Sequence, residues 1–265
     1  MQCPLRLCVL GLLLCTVSVR ANLIVNGSFE SGNTNFTSSY SYKAPNSPGN
    51  MNEGEYSVIQ SLNQVHQFWT GTLSAQSGTN YLVANGSPDN TLSPWMQTIT
   101  VNPGDITTSS TNAPVYYRFQ AYVASVYAGG AQPELAFEMS LNNSGIWQEL
   151  TTSAAPPTPL NWYLTYRDGY FGFAPTTVSF RLRNDVTSAL GNDLAIDSIY
   201  FGLSTAAPDY GSNPINSIGA ITGGAVVPEP GTWAAAALLV GAAGFAVALH
   251  RGRWTLPGEG VRAFL

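Results

Sequence analysis

Short apolar stretches recur along the middle of the chain. Most alternate with polar residues at period two, the spacing of a strand with one buried face. The clearest is ELAFEMSL at 134–141, which puts Leu135, Phe137, Met139 and Leu141 on one side. VYYRFQAYV at 115–123 alternates aromatic and polar positions. The same reading predicts strands at 23–25, 56–59, 81–83, 96–101, 146–150, 161–166, 170–173, 178–182 and 194–203. Turn residues separate them, as in Asn102-Pro103-Gly104, Asn142-Asn143-Ser144-Gly145 and Arg167-Asp168-Gly169. The second of these turns predicts a hairpin joining 134–141 to 146–150. No sustained 3.6-residue period interrupts this series. The expected fold is all-β, an antiparallel β-sandwich of the jelly-roll kind, occupying 22–203.

Both ends break the pattern. Arg6 precedes an 11-residue apolar run at 7–17, too short to span a bilayer. Val19 and Ala21 place small residues three and one before a cleavage point, so 1–21 reads as a signal peptide cut before Asn22. Cys3, Cys8 and Cys15 all lie within it, so disulfides and thiolate chemistry are not expected of the mature protein. Residues 204–226 are small, polar and rich in Gly and Pro, the composition of a flexible linker. Trp233 to Leu249 is an uncharged run of 17 residues. As a helix it would span about 25 Å, close to one hydrocarbon core. Arg251 and Arg253 follow, which places that end on the cytoplasmic side, and 254–265 form a short tail.

Composition narrows the function. Only 9% of residues are charged, and the net charge is -5. Between 22 and 227 there are five basic and 13 acidic residues, a net -8. Such a surface cannot neutralise phosphates, which excludes a general nucleic-acid binder. His66 is the one histidine of this body, and no nucleophile-elbow pattern accompanies it. Glu53 with Glu55, or Asp193 with Asp197, could supply the two carboxylates of a glycoside hydrolase, but neither pair has a diagnostic spacing. A non-catalytic protein is the expectation. Aromatic rings stack on the C–H faces of sugars, so Trp69, Tyr81, Trp95, Tyr127, Trp147 and Trp162 are candidate ligand contacts. Trp69 and Tyr127 stand first among them because polar, loop-like residues flank them.

The C-terminal segment at 227–253 resembles the PEP-CTERM sorting signal of bacterial exported proteins. The resemblance rests on Pro228-Glu229-Pro230, the apolar run and the pair Arg251 and Arg253. It implies recognition by an exosortase-type enzyme and display at the cell surface or in extracellular polysaccharide. The extra residues 254–265 depart from the family pattern, and a plain membrane anchor is the alternative. The body resembles galactose-binding-like jelly rolls, including carbohydrate-binding modules, through NLIVNGSFE at 22–30 and GNDLAIDSIYFG at 191–202. That resemblance implies terminal segments lying close together and a structural calcium held in part by Glu30 and Asp197. The expected function is polysaccharide binding by an exported surface protein; a purely structural or adhesive role is the alternative.

Overall fold

The computed structural model describes residues 22–204, except 103–104, 106–114, 154–155, 157, 173–174 and 189. The segments expected to be a signal peptide, most of the expected linker, a sorting signal with Pro228, Glu229, Pro230, Arg251 and Arg253, its membrane helix and a tail lie outside the described residues. Among the described residues no helix is long and apolar enough to cross a membrane.

Among the described residues ten strands form two sheets. They are β1 (Ser41–Tyr42), β2 (Glu55–Ile59), β3 (Tyr81–Asn85), β4 (Trp95–Thr100), β5 (Val115–Ser125), β6 (Leu135–Leu141), β7 (Gln148–Thr152), β8 (Tyr163–Phe171), β9 (Thr177–Asn184) and β10 (Leu194–Ser204). The larger sheet runs β1-β2-β3-β10-β5-β8 and the smaller β4-β9-β6-β7. All pairings are antiparallel except that of β1 with β2, so the larger sheet is mixed. Leu62–Gln64 forms a 3-10 turn.

The period-two pattern decides which residues meet between the sheets. Phe119 of β5, Phe201 of β10, Phe137 of β6 and Phe180 of β9 are fully buried. Phe180 stacks on Phe119 at 4.3 Å and lies 4.6 Å from Phe201, bridging the two layers. Leu135, Phe137 and Met139 belong to this core, as their alternation predicts, and Leu141 is half-buried at its edge. The opposite face of β6 carries Glu138, held by Arg181 and Arg183 of β9.

Three local expectations are corrected. Residues 23–25 form no strand. Asn26 and Phe29 adopt positive φ, and the Asn26 side chain holds a tight turn by bonding Gly32 O, Thr34 O and Ser31 N. This segment still docks on β10, through Leu23 N–H to Phe201 O and Ile199 N–H to Gly27 O. A Cβ on Gly27 would sit 2.1 Å from Ile199 O, so only glycine permits that approach. The two ends of the domain therefore do lie together. Next, Arg167-Asp168-Gly169 is no turn but the middle of the continuous strand β8, each residue paired with β5. Here Asp168 is fixed by Arg118 across the ladder, and Gly169 leaves room for the Tyr117 side chain, whose hydroxyl a Cβ would meet at 2.4 Å. Finally, β1 carried no sequence signal and is two residues long. The hairpin of β6 and β7 forms as expected, with β7 shifted to Gln148–Thr152 and positive φ at Asn142, Asn143 and Gly145.

A candidate binding face on the larger sheet

The larger sheet has an outer face as well as a core face, and the two halves of that outer face differ. Over β2, β3 and the far ends of β5 and β10, residues 60–75 form a lid. Ile59, Tyr81, Val83, Ala124 and Ala195 point into it and pack with Leu62, Val65, Trp69 and Leu73 as a second apolar core. Over the remainder of β5, β8 and β10 the outward positions are aromatic and polar instead.

The register fixes their arrangement. Tyr116 lies opposite Tyr170 and Ser204, and Arg118 opposite Asp168 and Gly202. Gln120 lies opposite Tyr166 and Tyr200, and Tyr122 opposite Leu164 and Asp197. Rings thus stand in neighbouring rows of three adjacent strands. Tyr116 and Tyr170 are 6.3 Å apart, centroid to centroid. Tyr170 is 67% exposed, while Tyr116, Gln120, Tyr122, Tyr166 and Tyr200 are half-buried. Gly202 makes room for one of them, since a Cβ there would lie 2.0 Å from the Tyr200 hydroxyl. Arg118 makes a bidentate ion pair with Asp168 (Nε to Oδ1 2.7 Å, Nη2 to Oδ2 2.6 Å) and stacks on Tyr166 at 4.7 Å. That pair holds the guanidinium pKa above its ordinary value. A sheet face carrying several part-exposed rings around an ordered polar pair can stack on a ring-shaped ligand and bond its hydroxyls.

The aromatics expected from sequence take other places. Trp69 is buried in the second core; its indole N–H donates to Asp193 Oδ2 at 2.9 Å and its ring stacks on His66 at 4.6 Å. Tyr127 packs half-buried against the same cluster. Tyr81 is fully buried edge-on to Trp162, and burial raises its pKa. Trp162 donates its indole N–H to Ser74 O, Trp95 lies in the main core, and Trp147 covers Arg181 on the smaller sheet at 4.4 Å. Burial lowers the pKa of His66.

Glu30 and Asp197 are brought to one loop, 76–80. Glu30 accepts from Thr79 N–H, Asn80 N–H and the Thr79 hydroxyl; Asp197 accepts from Gln76, Ser77 and Ser198 N–H. Gly78 at φ +70 fits between, where a Cβ would lie 2.4 Å from the Glu30 carboxyl carbon. Asp197 is fully buried, and that burial pushes its pKa up to about 7 against its three amide donors, with Glu30 adding to the rise. Among the described residues no group of three or more His, Cys, Asp or Glu gathers. The remaining carboxylates weighed for hydrolysis are engaged locally: Glu55 by Asn52, and Asp193 by Trp69, with burial raising the Asp193 pKa.

Sequence reasoning missed Tyr116, Arg118, Gln120, Tyr122, Tyr166, Asp168, Tyr170 and Tyr200 as a site. The alternation at 115–123 marked half of them, but reading Asp168 as a turn residue hid β8, which carries Tyr166, Asp168 and Tyr170, and nothing local marks Tyr200 on β10 as their neighbour.

No protein-family model matches the chain, and no curated protein sequence matches it. Solved structures align with the chain at low similarity. "Family 16 Carbohydrate Binding Module-2" is 16% identical over 68% of this chain and 99% of that one, with a TM-score of 0.40. The CBM22-1 xylan-binding domain from Paenibacillus barcinonensis Xyn10C is 16% identical over 72% and 100%, with a TM-score of 0.42. An apo-form cyclase from Fischerella sp. is 11% identical over 70% and 97%, also at 0.42. At these scores the likeness assigns neither ligand nor activity to the chain.

Proposed function

We propose that this is an exported, non-catalytic jelly-roll protein that binds polysaccharide on the outer face of its larger sheet. The observation that carries the reading is the cluster of tyrosines at Tyr116, Tyr166, Tyr170 and Tyr200 around the Arg118–Asp168 pair, open to solvent at Tyr170. Sugar rings offer apolar C–H faces with hydroxyls at their rims, and this face offers rings with polar groups between them. Export and sorting rest on the signal peptide and the PEP-CTERM-like segment. They imply an exosortase-type partner and a place at the cell surface or in the extracellular matrix. Screening the protein on an array of neutral and acidic glycans tests the reading. Tyr170→Ala should weaken any glycan bound by about tenfold, the effect of losing one stacked ring worth ~1.5 kcal/mol. Unchanged affinity would place the ligand elsewhere.

A structural calcium at Glu30 and Asp197 is part of the same proposal. Two carboxylates meeting at one loop, one of them buried, fit a divalent cation that relieves their charge. Calcium takes six to eight oxygens, so carbonyl groups would supply the others. A bound ion would fix loop 76–80, whose Gln76 and Ser77 amides bond Asp197, the register partner of Tyr122. Excess chelator should lower stability by about 2.7 kcal/mol relative to calcium at a hundredfold excess over its dissociation constant. Superimposable melting curves would remove the ion.

A further inference from the structure

Arg118 stands at the centre of the aromatic face, between Gly202 on β10 and Asp168 on β8. An arginine carries five N–H donors in one plane. Two of them go to Asp168, through Nε and Nη2, and the Tyr166 ring supports the plane from one side. Of the other three donors, one on Nη2 and one on Nη1 form a fork at the tip of the plane, and the second on Nη1 lies on the side away from Asp168. The Arg118 side chain is 39% exposed and that of Asp168 only 7%, so the arginine is the more open partner of the pair. The guanidinium is therefore oriented before any ligand arrives, and its charge is already balanced.

We propose that Arg118 determines the specificity of this face. Its remaining fork takes two adjacent hydroxyl oxygens of one sugar ring while the neighbouring tyrosines stack on the ring. This deepens the polysaccharide reading and rests on it. A planar fork matches two oxygens on neighbouring carbons as it matches the two oxygens of a carboxylate. With Asp168 supplying the counter-charge, the ligand class that fits is a neutral glycan with an unsubstituted vicinal diol. Asp168 and Tyr166 act through Arg118 and are positioning residues.

The rival role is a cross-strand staple that only ties β5 to β8. Dissociation constants for neutral hexasaccharides of glucose, xylose and mannose, each with free or O-acetylated vicinal hydroxyls, separate the two. The wild type should prefer at least one free form over its acetylated counterpart by about tenfold, the value of charged-donor hydrogen bonds at ~1.5 kcal/mol. Arg118→Lys keeps the charge and its pairing with Asp168 but loses the fork. It should bind free and acetylated forms equally, at an unchanged denaturation midpoint. Asp168→Asn should weaken the preference several-fold without reversing it. The wild-type comparison stands even where a variant fails to fold. If hexasaccharides bind in a Tyr170-dependent way without the preference, or Arg118→Lys keeps it, this inference falls and the polysaccharide reading survives. If no hexasaccharide and no arrayed glycan binds, both fall.

Discussion

Phe180→Ala should destabilise the domain by about 3–5 kcal/mol, measured by urea denaturation. Phe180 is fully buried on β9 of the smaller sheet, and its ring contacts Phe119 at 4.3 Å and Phe201 at 4.6 Å, both from the larger sheet. Phe119 also meets Phe137 edge-on at 5.4 Å, so the removed ring is an inner member of a run of four contacting rings. Its loss opens a cavity that neighbours on two rigid ladders cannot collapse to fill. Phe180→Leu keeps much of the volume and should cost less than half as much. A cost under about 1 kcal/mol for the alanine variant would mean that the two sheets do not pack through this residue.

The metal-free protein should lose stability as pH rises from about 4 to 7. Asp197 has its pKa pushed up to about 7 by burial, against an ordinary value of 3.8. Between those values the folded state holds a proton that the unfolded chain has released, so unfolding becomes easier as pH rises. The contribution is fully present below pH 4 and gone above pH 7. Its size approaches ~4 kcal/mol, since one pKa unit corresponds to ~1.4 kcal/mol. Asp193, raised by burial as well, adds in the same direction. His66, lowered by burial, opposes it near neutral pH. Denaturation in chelator across this range isolates this contribution: the wild type should lose stability relative to Asp197→Asn as pH rises from about 4 to 7, and the variant's own slope should be flatter. A wild-type profile that instead gains stability over pH 4–7 relative to the variant would show that the three amide donors on Asp197 outweigh its burial.

Much of this architecture was written in the period of the strands. ELAFEMSL placed Leu135, Phe137 and Met139 in the core because a strand between a core and an outer layer must alternate. The failures came where a side chain contact overrode a local rule. Arg167-Asp168-Gly169 has turn composition, yet Arg118 opposite Asp168 and the Tyr117 ring beneath Gly169 keep it extended. The segment at 23–25 is apolar enough for a strand, but Asn26 curls it into a turn by three side-chain hydrogen bonds. The aromatic face was illegible for a related reason. Its tyrosines come from three strands separated by up to 84 positions, from Tyr116 to Tyr200, and only the register of β5 with β8 and β10 brings them together. Trp69 and Tyr127 drew attention as polar-flanked aromatics, whereas the fold uses them to build the second core.

The central claim is that the tyrosine face of the larger sheet is where polysaccharide is held. Titrating the protein with a glycan selected from the array, while observing side-chain NMR signals of the tyrosines, tests it most directly. The account predicts shifts concentrated at Tyr116, Tyr166, Tyr170 and Tyr200, with Tyr40 and Tyr56 of the core unmoved. Shifts confined to Tyr127 and to the indole signals of Trp69 and Trp162, or to Trp147 on the opposite sheet, would contradict it.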